Sequence, residues 1–310
     1  MISRVADHCF WLGRYVERAE STARVLAVTH NLALDGDLTP SQCWQPVLIV
    51  AGEEAAFTAR HGAPADGEEV MRFLTWDNGV AVSLRSSVLW ARENARSIRE
   101  VISLEVWQEV NELHLWLGSP DAAAQYDDNR FAFYRAVRQR TQLVLGLVRS
   151  TMLHDEAMDF LWLGVMLERL AQTARFLDVH HHVLTSQRRR HEVQDTALWI
   201  SLLRACSGYE PFVKRSQGRV TSAAVARFLV HERQFPRSVS YCAHAALAGF
   251  RAMRDDPALP GAGVLAGLEA LVALLDAPLD EASLHTLLTQ VVDATADVCT
   301  TLGRELLGTA

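Results

Sequence analysis

Two Glu-Arg pairs recur in this chain, each followed at the same distance by a further arginine. Glu17-Arg18 leads to Arg24, and Glu168-Arg169 leads to Arg175. A carboxylate can serve as a general acid or base. An arginine can grip a carboxylate or phosphate through two parallel hydrogen bonds. Brought together, two such sets form either a reciprocal ion-pair lock or a polar cleft for a charged ligand or a partner's tail.

The stretches that carry these residues are copies of one another. Trp11-Leu12-Gly13-Arg14-Tyr15-Val16-Glu17-Arg18 is echoed by Trp162-Leu163-Gly164-Val165-Met166-Leu167-Glu168-Arg169, and identities continue to Val28/Val179 and His30/His181. Self-similarity on this scale signals an internal repeat. At about 100° per residue, Trp11, Leu12, Val16, Ala19, Ala23, Leu26 and Ala27 fall on one arc, the expected core face. Gly13, Glu17, Glu20, Arg24 and Val28 fall opposite, as do Gly164, Glu168, Ala171, Arg175 and Val179. Glycine inside a helix costs about 1 kcal/mol relative to alanine, so its retention on that stripe points to close approach by another backbone or a ligand.

Three readings of the stripe stand side by side. In the first, the two helices face each other near a pseudo-two-fold axis, Glu17 pairing with Arg175 and Glu168 with Arg24, as isologous contact requires. In the second, these groups line a shared cleft. In the third, they pair only along their own helix, for example Glu20 with Arg24 at i,i+4. Arg18 and Arg169 lie nearer Trp11 and Trp162, where stacking or an acidic partner at the core edge is expected, with anion binding the alternative. Glu17 or Glu168 as acid/base requires an exposed carboxyl with a raised pKa in a cleft.

The remaining elements read as helices. Ser3 to about Leu34 is the first; Ser41–Arg60, Glu68–Leu74, Val80–Glu100 and Ser103–Leu117 follow. Trp76-Asp77-Asn78-Gly79 reads as a turn whose Asn-Gly suits positive φ. Asp128 or Asn129 opens a long helix, and His154-Asp155-Glu156 marks the seam before the second copy. A basic connector, Ser186–His191, is followed by helices at Val193–Ser207, Thr221–Glu232 and Phe235–Asp255. Val264–Leu275 and Glu281–Leu307 complete the chain. Phe73-Leu74 and Phe228-Leu229 stand similarly placed after each copy. The expected fold is all-α: a helical bundle of two related halves, 1–154 and 155–310, forming one compact unit with a pseudo-two-fold repeat.

Composition narrows the function. Half of the 310 residues are hydrophobic, and the net charge of −7 offers no general attraction to nucleic acid or an anionic membrane. Five scattered cysteines with no C-x-x-C point away from a disulfide framework or zinc site and toward a reducing cytoplasm. No apolar run reaches the roughly 18 residues of a membrane span, and the opening residues lack a secretory apolar core.

Other constellations are weak. Three consecutive histidines, His180-His181-His182, cannot share one helix face, so no metal site is expected. No second Glu-x-x-His completes a di-iron set, no Ser or Cys sits in a nucleophile elbow, and no Gly-rich phosphate loop exists. No cofactor is expected in this chain. Arg92, Arg96 and Arg99 form a charged helix face, read as a solvated surface or, with Arg85, as a carboxylate or phosphate cleft. Arg233, Arg237 and Arg251 take related places in the second half.

The motif Trp11-Leu12-Gly13-Arg14-Tyr15-Val16-Glu17-Arg18-Ala19-Glu20, with Thr22-Ala23-Arg24, resembles the bacterial Alpha-E family, a helical family of unknown function named for its Glu-Arg motif. Arg92-Glu93-Asn94-Ala95-Arg96, Trp107 with Asn111, and Phe235-Pro236-Arg237-Ser238-Val239 resemble family segments too, and the likeness runs nearly end to end. Asn78-Gly79 departs from the Asn-Pro expected there. The resemblance implies an all-helical protein encoded beside, or fused to, a circularly permuted ATP-grasp protein, often near a transglutaminase-like cysteine protease. The implied role is accessory: work with an ATP-grasp-type ligase on a peptide or amino-acid substrate, with ATP on the partner alone. An amide-forming or amide-cleaving transferase in its own right is the alternative, and a purely structural oligomerisation module the third. The resemblance supplies no catalytic residues.

Overall fold

Local capping sets where most helices begin. The computed structural model describes residues 3–35, 39–63, 66–186, 192–216, 219–254, 260–277 and 283–308; the side chains of 35, 182–186 and 192–195 lie outside that description. The first half holds α1 (Ser3–Asp35), α2 (Pro40–Ala51), α3 (Glu54–His61), α4 (Gly67–Trp76), α5 (Leu84–Ser97), α6 (Leu104–Leu117), α7 (Pro120–Asp128) and α8 (Arg130–Thr151). The second holds α9 (Glu156–Ser186), α10 (Glu192–Ala205), α11 (Tyr209–Arg215), α12 (Ser222–His231), α13 (Val239–Met253), α14 (Ala262–Leu275) and α15 (Leu284–Leu302), closed by a π turn at Gly303–Leu307. Among the described residues there is no strand.

Ser83, Ser103, Ser119, Asn129, Thr221 and Ser238 each accept a first-turn backbone N–H with the side chain, satisfying a donor that the helix cannot. Several boundaries differ from the sequence expectation. The helix expected over Ser41–Arg60 is two, because Gly52 adopts a left-handed φ of 75° that ends α2. The helix expected from Val80 starts at Leu84, where Ser83 caps it. Helix α7 fills a stretch that the apolar pattern does not mark as helix; Ser119 caps it and Pro120 opens it. The Asn78-Gly79 turn uses no positive φ; instead the Asp77 carboxylate accepts the Gly79 N–H at 2.7 Å. The basic run Arg188-Arg189-Arg190 lies outside the described residues.

The two repeat helices, α1 and α9, form the central pair and make the most extensive helix–helix contact in the fold. They run side by side in the same direction: Phe10 and Gly13 meet Gly164 and Leu161, and one turn on Glu17 and Arg18 meet Arg169 and Glu168. Helix α1 packs on α5 and α8, which both pack on α6; helix α9 packs on α13 and α15, which both pack on α14. One continuous apolar core runs through both sets. Helix α2 lies across α1 and α9, and with α4 it roofs one side of the central pair.

Candidate functional site

Glycine brings the charged residues together. A Cβ at Gly13 would collide with the carbonyl oxygen of Leu161, and one at Gly164 with the carbonyl oxygen of Phe10. The bare backbone therefore lets α1 and α9 touch, and the next helical turn of each delivers a carboxylate into the seam. Glu17, Glu20 and Glu168 are all buried there, the first two completely.

Each carboxylate meets guanidinium groups from across the seam. Arg18 donates to Glu168 through Nε at 2.7 Å and Nη2 at 3.0 Å. Reciprocally, Arg169 donates to Glu17 through Nε at 3.0 Å and Nη2 at 2.7 Å. Both are two-pronged arginine–carboxylate grips. Arg14 adds a second cation to Glu168 at 2.7 Å, and Arg237, from the turn before α13, adds one to Glu17 at 2.8 Å. The other prong of Arg237 reaches Glu20 at 2.8 Å, and Glu20 also pairs with Arg24 and accepts from Gln142. Backbone contacts fix the Arg237 loop: Arg169 donates to the Pro236 carbonyl and Thr173 to the Arg237 carbonyl.

The electrostatic outcome follows from this packing. Burial alone would raise the Glu17 and Glu168 pKa values, because a charge is costly in a low dielectric. The facing arginines outweigh it, so both carboxyls are held below the usual carboxylate range, Glu17 by Arg169 and Arg237 and Glu168 by Arg14 and Arg18. The acid/base reading required an exposed carboxyl with a raised pKa, whereas Glu17 and Glu168 are buried and their pKa values are lowered. A carboxylate stabilised this strongly is a poor base near neutral pH.

The partners also differ from those expected. Glu17 does not pair with Arg175, nor Glu168 with Arg24; the adjacent Arg169 and Arg18 take those places. The reason is register. Parallel helices in near-equal register set Glu17 beside residues 168 and 169, whereas Arg24 and Arg175 lie about two turns further along. Arg24 turns back to Glu20 on its own helix. Burial and the nearby cations Arg237 and Arg138 lower its pKa, yet a guanidinium stays charged at neutral pH. Arg92 and Arg96 do not join the seam: both pair with Glu93, and Arg92 also donates to Asn111. Of the expected second-half arginines, Arg237 joins it, while Arg233 and Arg251 pair with Asp276 and Glu269 at the surface.

Arg14, Gln142 and Gln172 belong to the site although the sequence reading did not single them out, and Glu20, named on the stripe, pairs with Arg24 as the third reading expected. Arg14 and Glu20 stand where the second copy has Val165 and Ala171. The signal lay in the differences between the copies rather than in their identities.

On the Glu168 side the seam opens into a pocket of about 180 Å³. Arg14, Arg18, Arg175, Glu168 and Gln172 form its polar wall, and Val47, Val50, Leu74, Val82 and Phe176 contribute apolar surface. Arg175 is exposed at its mouth and, among the described residues, has neither a hydrogen bond nor an ion pair. Partial desolvation against the pocket wall, together with Arg14 and Arg18, lowers its pKa against the pull of Glu168. Two other pockets, of about 260 and 330 Å³, are lined by none of the candidate Glu and Arg site residues.

All five cysteines are free thiols, and burial pushes Cys9, Cys206 and Cys242 up to about 12. Among the described residues no group of three or more His, Cys, Asp or Glu is placed to hold a metal ion. None of the described helices is long and apolar enough to cross a membrane.

The fold and seam define a class: an all-helical protein centred on two parallel helices cross-linked by buried Glu-Arg pairs. The chain belongs to the Alpha-E family, described as a predicted alpha-helical domain with a conserved ER motif, which matches residues 1–307. Glu17-Arg18 and Glu168-Arg169 are its two Glu-Arg pairs in the repeated stretches. The chain is also similar to uncharacterised proteins of Mycobacterium bovis and Mycobacterium tuberculosis, at 26% identity over 255 residues. The match covers 77% of this chain but only 28% of those relatives. No solved structure matches it.

Proposed function

We propose that the chain is an accessory helical protein that works with an ATP-grasp-type ligase in peptide or amide-bond synthesis or modification. It meets its partner or substrate through the Glu/Arg seam. The observation that carries this reading is the state of the carboxylates. Glu17 and Glu168 are buried, ionised and engaged by two arginines each. Such groups position guanidinium cations for binding and do not shuttle protons. Thiols held protonated by burial supply no nucleophile to replace them.

ATP belongs to the partner in this reading, a circularly permuted ATP-grasp protein, and the substrate is a peptide or amino acid. A transglutaminase-like protease is a further neighbour, and the setting is the cytoplasm. The length of the mycobacterial relatives supports a domain that serves others, since the matched unit is a minor part of each. We also infer that the two halves arose by duplication about a pseudo-two-fold axis along α1 and α9. The exchange of Arg18–Glu168 for Arg169–Glu17, and of Gly13–Leu161 for Gly164–Phe10, supports it. So does the recurrence of the same four-helix packing around each central helix.

The test is co-expression with the neighbouring ATP-grasp protein. A stable complex, or a change in ligase turnover on adding this chain, is expected. Absence of both would sink the proposal.

A further inference from the structure

The two sides of the seam share their crossed Arg–Glu grips and differ around them; Arg14, which pairs with Glu168, stands where the other copy has Val165. On the Glu17 side, Arg24 pairs with Glu20, and Arg237 reaches in to bridge Glu17 and Glu20. The corresponding places on the Glu168 side are Arg175, Ala171 and, counting from the matched helix caps Ser83 and Ser238, Val82. Ala171 and Val82 are both short and apolar, and both line the 180 Å³ pocket. The pocket thus occupies the space that a carboxylate and an arginine fill on the other side. It leaves Arg175 without the carboxylate that its counterpart holds.

The charges lining the pocket do not balance. Arg14, Arg18 and Arg175 face a single carboxylate, Glu168. Glu168 is already taken up by Arg14 and Arg18. Arg14 and Arg18 are largely shielded and Arg175 stands exposed at the mouth, so the excess of positive charge attracts an anion that enters from solvent. The opposite wall is aliphatic, from Val47, Val50 and Leu74. The volume lies below the roughly 300–1,000 Å³ of pockets for drug-sized ligands, so it suits one small group rather than a nucleotide.

We infer that this pocket binds a small aliphatic carboxylate, free or at the end of a peptide chain, with the ligand's carboxylate set against Arg175 in the place Glu20 holds on the other side. This deepens the accessory reading by naming a ligand class, and it rests on that reading only for the ligand's biological source. A carboxylate is favoured over phosphate because the site reproduces an arginine–glutamate pair already built into the same fold, and because an aliphatic wall faces the cations.

Titration calorimetry on the full chain, without any ligase, tests it. The probes are isovalerate, N-acetylglycyl-leucine, their neutral amides and inorganic phosphate. Saturable binding of one or both acids, with the amides at least about ten-fold weaker, is expected from loss of the charge-assisted contact. Preference for isovalerate assigns a free acid, and preference for the dipeptide assigns a chain end. Arg175→Gln lowers affinity about ten-fold or more, and Ala171→Glu, which supplies the missing carboxylate from within, abolishes binding; unchanged far-UV and near-UV circular dichroism shows that both variants fold. No acid binding, equal binding of acid and amide, phosphate binding as tight as the acids, or an Ala171→Glu variant that binds normally overturns the proposal. The ligase complex is scored separately by co-purification, so a complex without carboxylate binding removes this inference alone, and carboxylate binding without a complex removes only the ligase partnership.

Discussion

Arg169 grips Glu17 across the seam with two hydrogen bonds, of 3.0 and 2.7 Å, and the carboxylate it holds is wholly buried. Arg18 does the same to Glu168 from the other helix. The pairs tie α1 to α9 at the centre of the fold, where desolvated charges are stable only while every partner remains.

Removing one partner is therefore expected to cost far more than a surface ion pair would. Glu17→Gln leaves Arg169 and Arg237 facing a neutral amide in a buried site, with an expected loss of about 3–5 kcal/mol. Urea unfolding of the variant beside the parent measures it. A loss under about 1 kcal/mol, the range of exposed pairs, would mean that the seam is hydrated and open.

Acid stability carries the sign of the depressed carboxyls. Glu17 and Glu168 have folded-state pKa values below their ordinary value of 4.5. Their contribution is fully present above that unfolded-state value and is lost as pH falls through the folded-state values. Stability should hold from neutral pH down to about 4.5 and then decline steeply. Glu168→Gln should start lower at pH 7 and show a shallower acid slope. An equal slope in parent and variant, followed by denaturant midpoints against pH, would contradict the assignment.

Two glycines in long helices should respond oppositely to alanine. At Gly13 the new methyl meets the Leu161 carbonyl, a backbone atom that cannot rotate away. Overpacking there is expected to cost about 1–3 kcal/mol or more. At Gly146 in α8 a Cβ meets nothing, so alanine should stabilise by up to about 1 kcal/mol. Thermal melts of both variants settle the contrast; a Gly13→Ala protein as stable as the parent would remove the close approach of α1 and α9.

Thiol reactivity offers a check on the binding reading over transferase chemistry. Cys9, Cys206 and Cys242 are buried with pKa values near 12, and burial raises Cys299 as well. The native chain should react slowly with Ellman's reagent at pH 7, while all five thiols titrate in denaturant. A single fast-reacting thiol in the folded protein would reopen covalent catalysis.

Much of the fold is legible in the sequence. Apolar periodicity and caps such as Ser103 and Asn129 placed most helices within a few residues. Local breakers decided the exceptions. Gly52 divides a helix because its left-handed φ is a backbone property, which the apolar pattern of Ser41–Arg60 does not register. Helix α7 was hidden by Pro120, which reads as a stop after α6 and acts as the first residue of the next helix.

The candidate site is legible in composition and in the local Glu20–Arg24 pair, but not in which residues pair across the seam. The repeat marked Glu17, Arg18, Arg24 and their copies, and Gly13 marked the place of closest approach. A helical wheel fixes a residue's angle around its own axis and says nothing of how far one helix slides along another. That offset, set by the packing of Gly13 and Gly164 against opposing carbonyls, gave Glu17 to Arg169 rather than Arg175.

The sequence by itself determined the helical class, the recurrence of the Glu-Arg stretch and the inventory of charges, because these depend on local periodicity and residue identity. Only the tertiary structure decided which arginine meets which carboxylate, that Arg237 crosses from the second half to join them, and that one side of the seam is filled while the other stays open. Those outcomes depend on helix register and on side chains distant in the chain, such as Val82 and Ala171, whose short reach leaves a space that no local pattern records.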